Sequence, residues 1–130
     1  MGDLAAASFG YSASNVSLPS GFTTEVVAAP LVTTPRRTQR IFIFGWAQVT
    51  TGASGTGLRP EMRRHRGPTD NGVGLSVEQE IMAALTGTEP VTLAVSEDQE
   101  NADAPEYRLH IFPNADAATA LQAAILVLVM

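Results

Sequence analysis

"RIFIFGWAQVTTGAS", residues 40–54, is the stretch that decides the fold. A β-strand with one face on the core and the other in water alternates apolar and polar side chains. This stretch is instead apolar on both faces. Its first face carries Ile41, Ile43 and Val49, and its second carries Phe42, Phe44 and Trp46. What covers the second face is therefore the main question about function.

The last twelve residues, "TALQAAILVLVM", repeat this pattern. One face of the predicted strand carries Ile125, Val127 and Val129, and the other carries Leu126, Leu128 and Met130. A helix over the same residues is the alternative. A parallel strand beneath helices is apolar on both faces too, but the sequence offers no set of crossover helices. Either a loop or the N-terminal segment covers the second faces, or another subunit does.

Leaving the second faces in water is costly. Each exposed Leu, Met or aromatic side chain forgoes roughly 1.5–3 kcal/mol of burial, and soluble monomers seldom carry a large apolar patch. We therefore predict a homo-oligomer, with a trimer favoured over a dimer. The predicted interface consists of Phe42, Phe44, Trp46, Leu126, Leu128 and Met130.

Further strands are predicted from β-branched or alternating residues between turn signals. They cover residues 22–34, bent at Pro30, and residues 58–65, 90–97 and 107–112. Residues 75–85 fit both a capped helix and a strand, and the surroundings favour the strand. Short strands of this kind predict an all-β domain: a β-sandwich, jelly roll or small barrel.

The first twenty residues show no sustained period of 2 or 3.6, which predicts an extended N-terminal arm at 1–20 before a β-sandwich (jelly-roll) domain at 21–130. The arm lies either on a neighbouring molecule or on its own domain. On a neighbour, its apolar residues would dock on the partner: Leu4, Phe9 and Tyr11.

Charge is divided along the chain of 130 residues, whose net charge is −5. Residues 36–66 hold seven arginines and one acid, and residues 70–116 hold ten acids and one arginine. Such polarity can orient docking between proteins, although two solvated loops would show it too. The arginines predicted to pair with a partner's carboxylates are Arg59, Arg63, Arg64 and Arg66.

Other classes of protein fit poorly. The acidic net charge and the absence of lysine count against a nucleic-acid protein. We expect no membrane span, because the longest apolar run, residues 123–130, is far too short. Nor do we expect a secretory signal, because no basic segment followed by an apolar run opens the sequence.

No motif for enzyme chemistry is visible, so we expect no enzyme, cofactor or metal. "GASGTG", residues 52–57, lacks the lysine of a phosphate-binding loop. Arginines flank His65, and His110 is predicted to be a surface or interface side chain. The acids near residue 100 do not have the spacing of a calcium loop, which favours a solvated loop. These acids are Glu97, Asp98, Glu100 and Asp103.

The order of features resembles small jelly-roll proteins of the tumour-necrosis-factor-like or C1q-like kind that decorate, or cement, tailed-phage capsids. The resemblance covers roughly residues 21–130 and rests on pattern. The quoted segments are "GWAQVTTGA", "LRPEMRRH", "VTLAVSED" and "YRLHIF". It implies a trimer on the outer capsid surface of a virion, bound to the major capsid protein, with no catalytic residues. It also implies an arm that crosses neighbouring capsid subunits.

Two functions follow from these patterns. The first is a structural virion protein that oligomerises and bridges capsid subunits. The alternative is a carbohydrate- or receptor-binding module of a phage tail or bacterial surface. That alternative needs exposed aromatic residues on a shallow face, and the candidates are Tyr11, Trp46 and Tyr107.

Overall fold

Strands dominate the part of the chain that the computed structural model describes, residues 6–29, 39–51, 57–65, 72–75, 81–82, 88–99 and 105–130. These residues form ten strands and no helix: β1 (Ala6–Ser12), β2 (Val16–Leu18), β3 (Thr24–Ala28), β4 (Gln39–Thr50), β5 (Gly57–His65), β6 (Val73–Gly74), β7 (Ile81–Met82), β8 (Thr88–Gln99), β9 (Glu106–Pro113) and β10 (Ala118–Val129). The all-β prediction is confirmed. The C-terminal segment is a strand and not a helix.

The described strands form two antiparallel sheets. Sheet A has the order β1-β10-β4-β8, with β2 also paired to β10. Sheet B has the order β3-β9-β5-β6, with β7 also paired to β5. The two sheets are therefore built from strands that lie far apart in the sequence. The predicted β-sandwich is confirmed.

The inner faces of the two sheets make the core. The first apolar faces of β4 and β10 point into it, against the inner residues of β5 and β9. The largest fully buried side chains include Ile41, Ile43, Ile125, Val127, Leu58, Met62, Tyr107, Leu109 and Ile111. Gly45 keeps room for sheet B here. A Cβ atom on Gly45 would lie 3.0 Å from Met62 Cε and 3.1 Å from Leu109 Cδ1.

The N-terminal segment packs on its own domain, one of the two placements that the sequence left open. β1 pairs with residues 123–129 of β10, and β2 pairs with residues 118–120. Gly10 is required for this placement, because a Cβ atom there would lie 1.9 Å from the carbonyl oxygen of Ala28 in sheet B. The sandwich therefore includes residues 6–18, and the predicted boundary at residue 20 does not separate an arm from it. Leu4 lies outside the described residues.

Several predicted loops differ from the structure. Glu97 and Asp98 belong to β8 and not to a solvated loop, because β8 pairs with β4 as far as Gln99. Glu100 and Asp103 lie outside the described residues. Within residues 75–85, Ile81–Met82 forms β7 and pairs with Gly57 and Leu58. Residues 76–80 and 83–85 are not described.

Candidate functional site

The outer face of sheet A is an ordered array of side chains. Successive outward residues of the four long strands stand in register and form rows across the sheet. From β1 through β10 and β4 to β8, the three central rows are Ala7, Leu128, Phe42 and Ser96; Phe9, Leu126, Phe44 and Ala94; and Tyr11, Ala124, Trp46 and Thr92. We call these rows the aromatic face.

The aromatic face is open within the chain. Phe44 is 44 % exposed and Phe42 is 36 % exposed, whereas Ile43 between them is fully buried. The other four predicted interface residues are half-buried: Trp46, Leu126, Leu128 and Met130. The structure therefore gathers all six predicted interface residues on one surface, and the described chain leaves that surface uncovered.

The N-terminal strand enlarges this surface and does not cover it. Phe9 and Tyr11 of β1 point outward in the same rows as Phe44 and Trp46, and they are 58 % and 56 % exposed. They were predicted to dock on a partner as part of an arm. They instead sit at one edge of the aromatic face, because β1 adds edge-on to β10.

A shallow depression of about 560 Å³ lies within the aromatic face. Its large lining residues are Phe9, Phe44, Trp46 and Leu126, and its small ones include Ala94 and Ala124. A volume in this range is ordinary for a ligand pocket. Its lining here is mostly apolar, and Thr92 is its polar side chain apart from the Trp46 indole.

Polar groups occur at the two ends of the aromatic face. At one end, Arg40 Nε lies 2.8 Å from Asp98 Oδ1, and the main chain of Met130 donates to the Arg40 carbonyl. At the other end, Gln48 stands opposite Gln122. The three central rows contain no charged residue. The arrangement suits burial of apolar area, and the polar side chains within the rows are those of Tyr11, Thr92 and Ser96.

The arginines predicted to dock on a partner are engaged within the chain. Arg63 pairs with Glu61, and Arg64 pairs with Glu97. The guanidinium carbon of Arg59 lies 4.2 Å from the ring centroid of Phe112, a cation–π contact. Arg66 lies outside the described residues.

A half-buried cluster joins the two sheets. Arg64 of β5 reaches across the sandwich to Glu97 of β8, and the Tyr107 hydroxyl donates to the second oxygen of Glu97 at 2.7 Å. Tyr107 is fully buried. It is therefore not available as an exposed aromatic residue for a sugar, contrary to the prediction.

His65 and His110 are both buried within the chain, which corrects the prediction that His110 is a surface or interface side chain. Their rings stack with centroids 6.0 Å apart and planes 11° apart. Burial, followed by the positive charge of Arg63, lowers the pKa of His110 to about 4. The strand pattern had placed His110 outward, and no sequence signal showed that it would be covered.

Within the described residues, no group of three His, Asp or Glu side chains could hold a metal ion. In the same residues, no helix has the length and apolar character needed to cross a membrane.

Sequence reasoning found the large residues of the aromatic face but missed its small ones. Thr92, Ala94 and Ala124 help to line the depression, and only the register between strands shows that they stand beside the aromatic side chains. The inward pairing of Arg64 with Glu97 was missed for the same reason. The available signal that Glu97 points inward was its position two residues after Val95, on the side of β8 that carries Val91 and Leu93.

Comparisons with known proteins identify the fold. No protein-family model matches the chain, and no curated protein matches its sequence. Among solved structures, the chain is similar to the Eiger TNF of S. frugiperda, with 9 % identity and a TM-score of 0.61 over 95 % of this chain and 91 % of that one.

The chain is also similar to proteins of infectious bursal disease virus. A chain of the T13 viral particle has 10 % identity and a TM-score of 0.63 over 94 % of this chain and 30 % of that one. A chain of the VP2 subviral particle has 10 % identity and a TM-score of 0.57, with 98 % and 33 % covered. This chain thus spans about a third of those viral chains. At such identities the likeness shows the fold alone: the chain is a jelly-roll β-sandwich of the kind found in a tumour necrosis factor and in viral particles.

Proposed function

We propose that the chain is a structural virion protein that forms a trimer through the aromatic face and decorates a capsid. One observation carries this proposal: a sandwich with a complete core leaves aromatic side chains exposed across three rows of one sheet. The sequence pattern that resembles phage decoration proteins supports the location, and so does a fold that also occurs in chains of viral particles.

Further copies of this chain are the favoured cover for the aromatic face. The central rows hold no charge that would call for a complementary partner. Burying Phe9, Phe44 and their neighbours would stabilise the assembly by roughly 1.5–3 kcal/mol for each large side chain before the costs of association. An isolated monomer would keep these side chains in water.

The two edges of the aromatic face differ, which suits the head-to-tail contacts of a ring. β1 presents the large residues Phe9 and Tyr11, whereas β8 presents Thr92, Ala94 and Ser96. In a head-to-tail contact one edge of a copy meets the other edge of the next, and the contacts close as a ring when the rotation between copies divides a full turn. Large side chains of one copy can then occupy the depression beside the small residues of the next copy.

The trimer is tested by the substitution Leu128→Asp. This change places a charge in the half-buried part of the aromatic face, so it should convert a trimer into a monomer that retains its strand content. Light scattering after size exclusion gives the mass, and circular dichroism gives the fold. The matched control is Phe22→Asp, because Phe22 is 66 % exposed and lies outside the aromatic face.

A wild-type chain that stays monomeric at micromolar concentration would contradict the proposal, and so would a Leu128→Asp variant that remains a trimer. Attachment is tested separately, by adding the trimer to capsids and measuring the temperature at which they open. We expect a higher opening temperature. Removal of residues 1–5 should weaken attachment, while the sandwich keeps its strands.

A carbohydrate-binding module is the second candidate, favoured by one observation. Tyr11 and Trp46 are separated in their row only by the small Ala124, and Gln48 and Gln122 form the next row. Trp46 is the single tryptophan of the chain, so its fluorescence reports binding at this surface. A monomeric chain whose Trp46 fluorescence responds to oligosaccharides would favour this function over the trimer.

A further inference from the structure

The three central rows of the aromatic face end on side chains of different size at its two edges. Each row has one end on β1 and the other on β8, and all six end residues are exposed. In two of the rows the β1 side chain is large and the β8 side chain is small. The pairs of row ends are Ala7 and Ser96, Phe9 and Ala94, and Tyr11 and Thr92.

The depression lies beside the small ends of these rows. Thr92 and Ala94 line it together with Phe44 and Trp46 of the neighbouring strand β4. The side chain of Ala94 ends at Cβ, so it leaves space next to the Phe44 ring in the second row. The depression therefore has room for a large apolar side chain at the level of that row.

Charge does not oppose a contact between the two edges. None of the six row ends is charged, so no ionised group would have to leave water when the edges meet. The charged pair at one end of the face, Arg40 and Asp98, is joined within the chain. A second copy of the chain fits this surface because each copy carries both an exposed Phe9 and an apolar depression.

The direction of the ring axis determines which rows meet. Both edges of the aromatic face run along the strands. A ring that joins the β1 edge of one copy to the β8 edge of the next therefore turns about an axis parallel to the strands. Rotation about such an axis moves no residue along it, so each row end meets the opposite end of its own row in the next copy.

We propose that the copies of the trimer meet row to row: Phe9 of one copy enters the depression of the next copy beside Ala94, and Tyr11 lies against Thr92. This inference rests on the proposed trimer and adds the pairing of residues across each interface. Tyr11 and Thr92 both carry hydroxyl groups, so the buried tyrosine hydroxyl has a hydrogen-bond partner in this arrangement.

A shift by one row would lose both matches. Neighbouring rows are two residues apart along a strand, which is about 7 Å. The shift would place the apolar Phe9 ring against a hydroxyl group, that of Thr92 or Ser96. It would also separate the Tyr11 hydroxyl from Thr92. Contact within the same row is therefore the favoured register.

Exchange of side-chain size within one row tests this register. Ala94→Phe fills the depression and should exclude Phe9 of the next copy, which should raise the concentration for half-association at least about tenfold. Addition of Phe9→Ala restores one large and one small side chain in the row, so the double variant should recover most of the loss. Sedimentation equilibrium measures the association, and circular dichroism shows that these exposed substitutions leave the fold unchanged.

Tyr11→Ala is the matched control, because it removes an aromatic ring from the same strand one row away. Combined with Ala94→Phe, it should not restore association. Equal recovery with Tyr11→Ala and with Phe9→Ala would overturn the proposed register. An Ala94→Phe variant that associates as the wild type does would overturn it too.

Chemical cross-linking is a second test that leaves the aromatic side chains in place. The chain has no cysteine, so Ala7→Cys with Ser96→Cys places two thiols at the ends of the first row. A short bismaleimide should link this variant into covalent trimers. Ala7→Cys with Thr92→Cys, whose second thiol lies about 13 Å further along β8, should give at least about tenfold less. A first pair that yields nothing larger than a covalent dimer would overturn the ring contact.

The two tests separate the register from the trimer itself. A chain that is trimeric in light scattering but shows neither the recovery nor the covalent trimer overturns this inference and leaves the proposed trimer standing. A wild-type chain that is monomeric at micromolar concentration overturns both.

Discussion

The outer faces of the two sheets differ in which side chains they expose to solvent. The outer face of sheet B carries Arg–Glu pairs and the two stacked histidines. Sheet A leaves Phe9, Tyr11 and Phe44 at least 44 % exposed, with no charge in its central rows. The charged groups of the first face pair with one another, whereas the described chain leaves the apolar side chains of the second face exposed.

The difference shows where function is to be sought. A face whose charges pair within the chain contributes to stability and solubility. Few of its charged groups remain to bind a partner. An apolar face without a cover is rare in soluble monomers. We therefore look for assembly on sheet A.

The largest expected effect is on the free energy of unfolding, and it differs between the two faces of β4. Ile43→Ala empties a fully buried position and should lower the free energy of unfolding by about 4 kcal/mol. Phe44→Ala, one residue away, should cost the isolated chain less than about 1 kcal/mol, because Phe44 is already 44 % exposed. It should nevertheless weaken the trimer. Urea denaturation measures the first quantity and light scattering the second.

The contrast between the buried and exposed faces of β4 would be wrong if Phe44→Ala destabilised the isolated chain as much as Ile43→Ala does. In that case the aromatic face would already be packed within one chain. Denaturation must be measured on the Leu128→Asp background, so that loss of association does not enter the unfolding free energy.

The cluster that joins the sheets should show the next largest effect. Glu97→Ala leaves Arg64 and the Tyr107 hydroxyl without their partner and should cost about 3 kcal/mol. Tyr107→Phe removes one hydrogen bond and should cost about 1 kcal/mol. Thermal unfolding measures both variants.

The exposed pair of Arg40 and Asp98 is the matched control for this cluster. Both side chains are about half exposed, at 51 % and 54 %, and loss of such a pair should change stability by less than about 1 kcal/mol. A Glu97→Ala variant no less stable than Asp98→Ala would show that the cluster does not hold the sheets together.

A smaller effect than that of Glu97→Ala is expected at the edge of the aromatic face. Gly10→Ala forces β1 away from the Ala28 carbonyl and should cost about 2 kcal/mol through overpacking. Displacement of β1 removes Phe9 and Tyr11 from the face, so the trimer should weaken while the core stays folded. A variant with an unchanged trimer would show that β1 is not part of the interface. Analytical ultracentrifugation measures the association.

Much of the fold could be predicted from the sequence because its signals are local. The alternation in β9 placed Tyr107, Leu109 and Ile111 on one side, and all three are fully buried. The segments that became β4, β5, β8 and β10 were also predicted as strands. β1 was not predicted, because residues 1–20 show no sustained period of 2 and its place depends on a contact between Gly10 and a residue eighteen positions away.

The candidate site was predicted in part for the same reason. Hydrophobic residues on two faces of a strand are visible in the sequence, so the six residues of the predicted interface could be named and do lie on one surface. The partners of charged residues are not visible, because they depend on which strands become neighbours. Arg64 was therefore assigned to an external partner, although Glu97 on the other sheet holds it.

The sequence by itself determined that two long strands have two apolar faces each, since side chains alternate along a strand whatever its neighbours are. Only the tertiary structure decided which face enters the core and which stays in water. It also decided that Phe9 and Tyr11 join Phe44 and Trp46 on a single surface, because register between distant strands is a property of the assembled sheet. Among the described residues, nothing covers Phe42 and Phe44 on the second face of "IFIFGW", and our proposal assigns its cover to further copies of the chain.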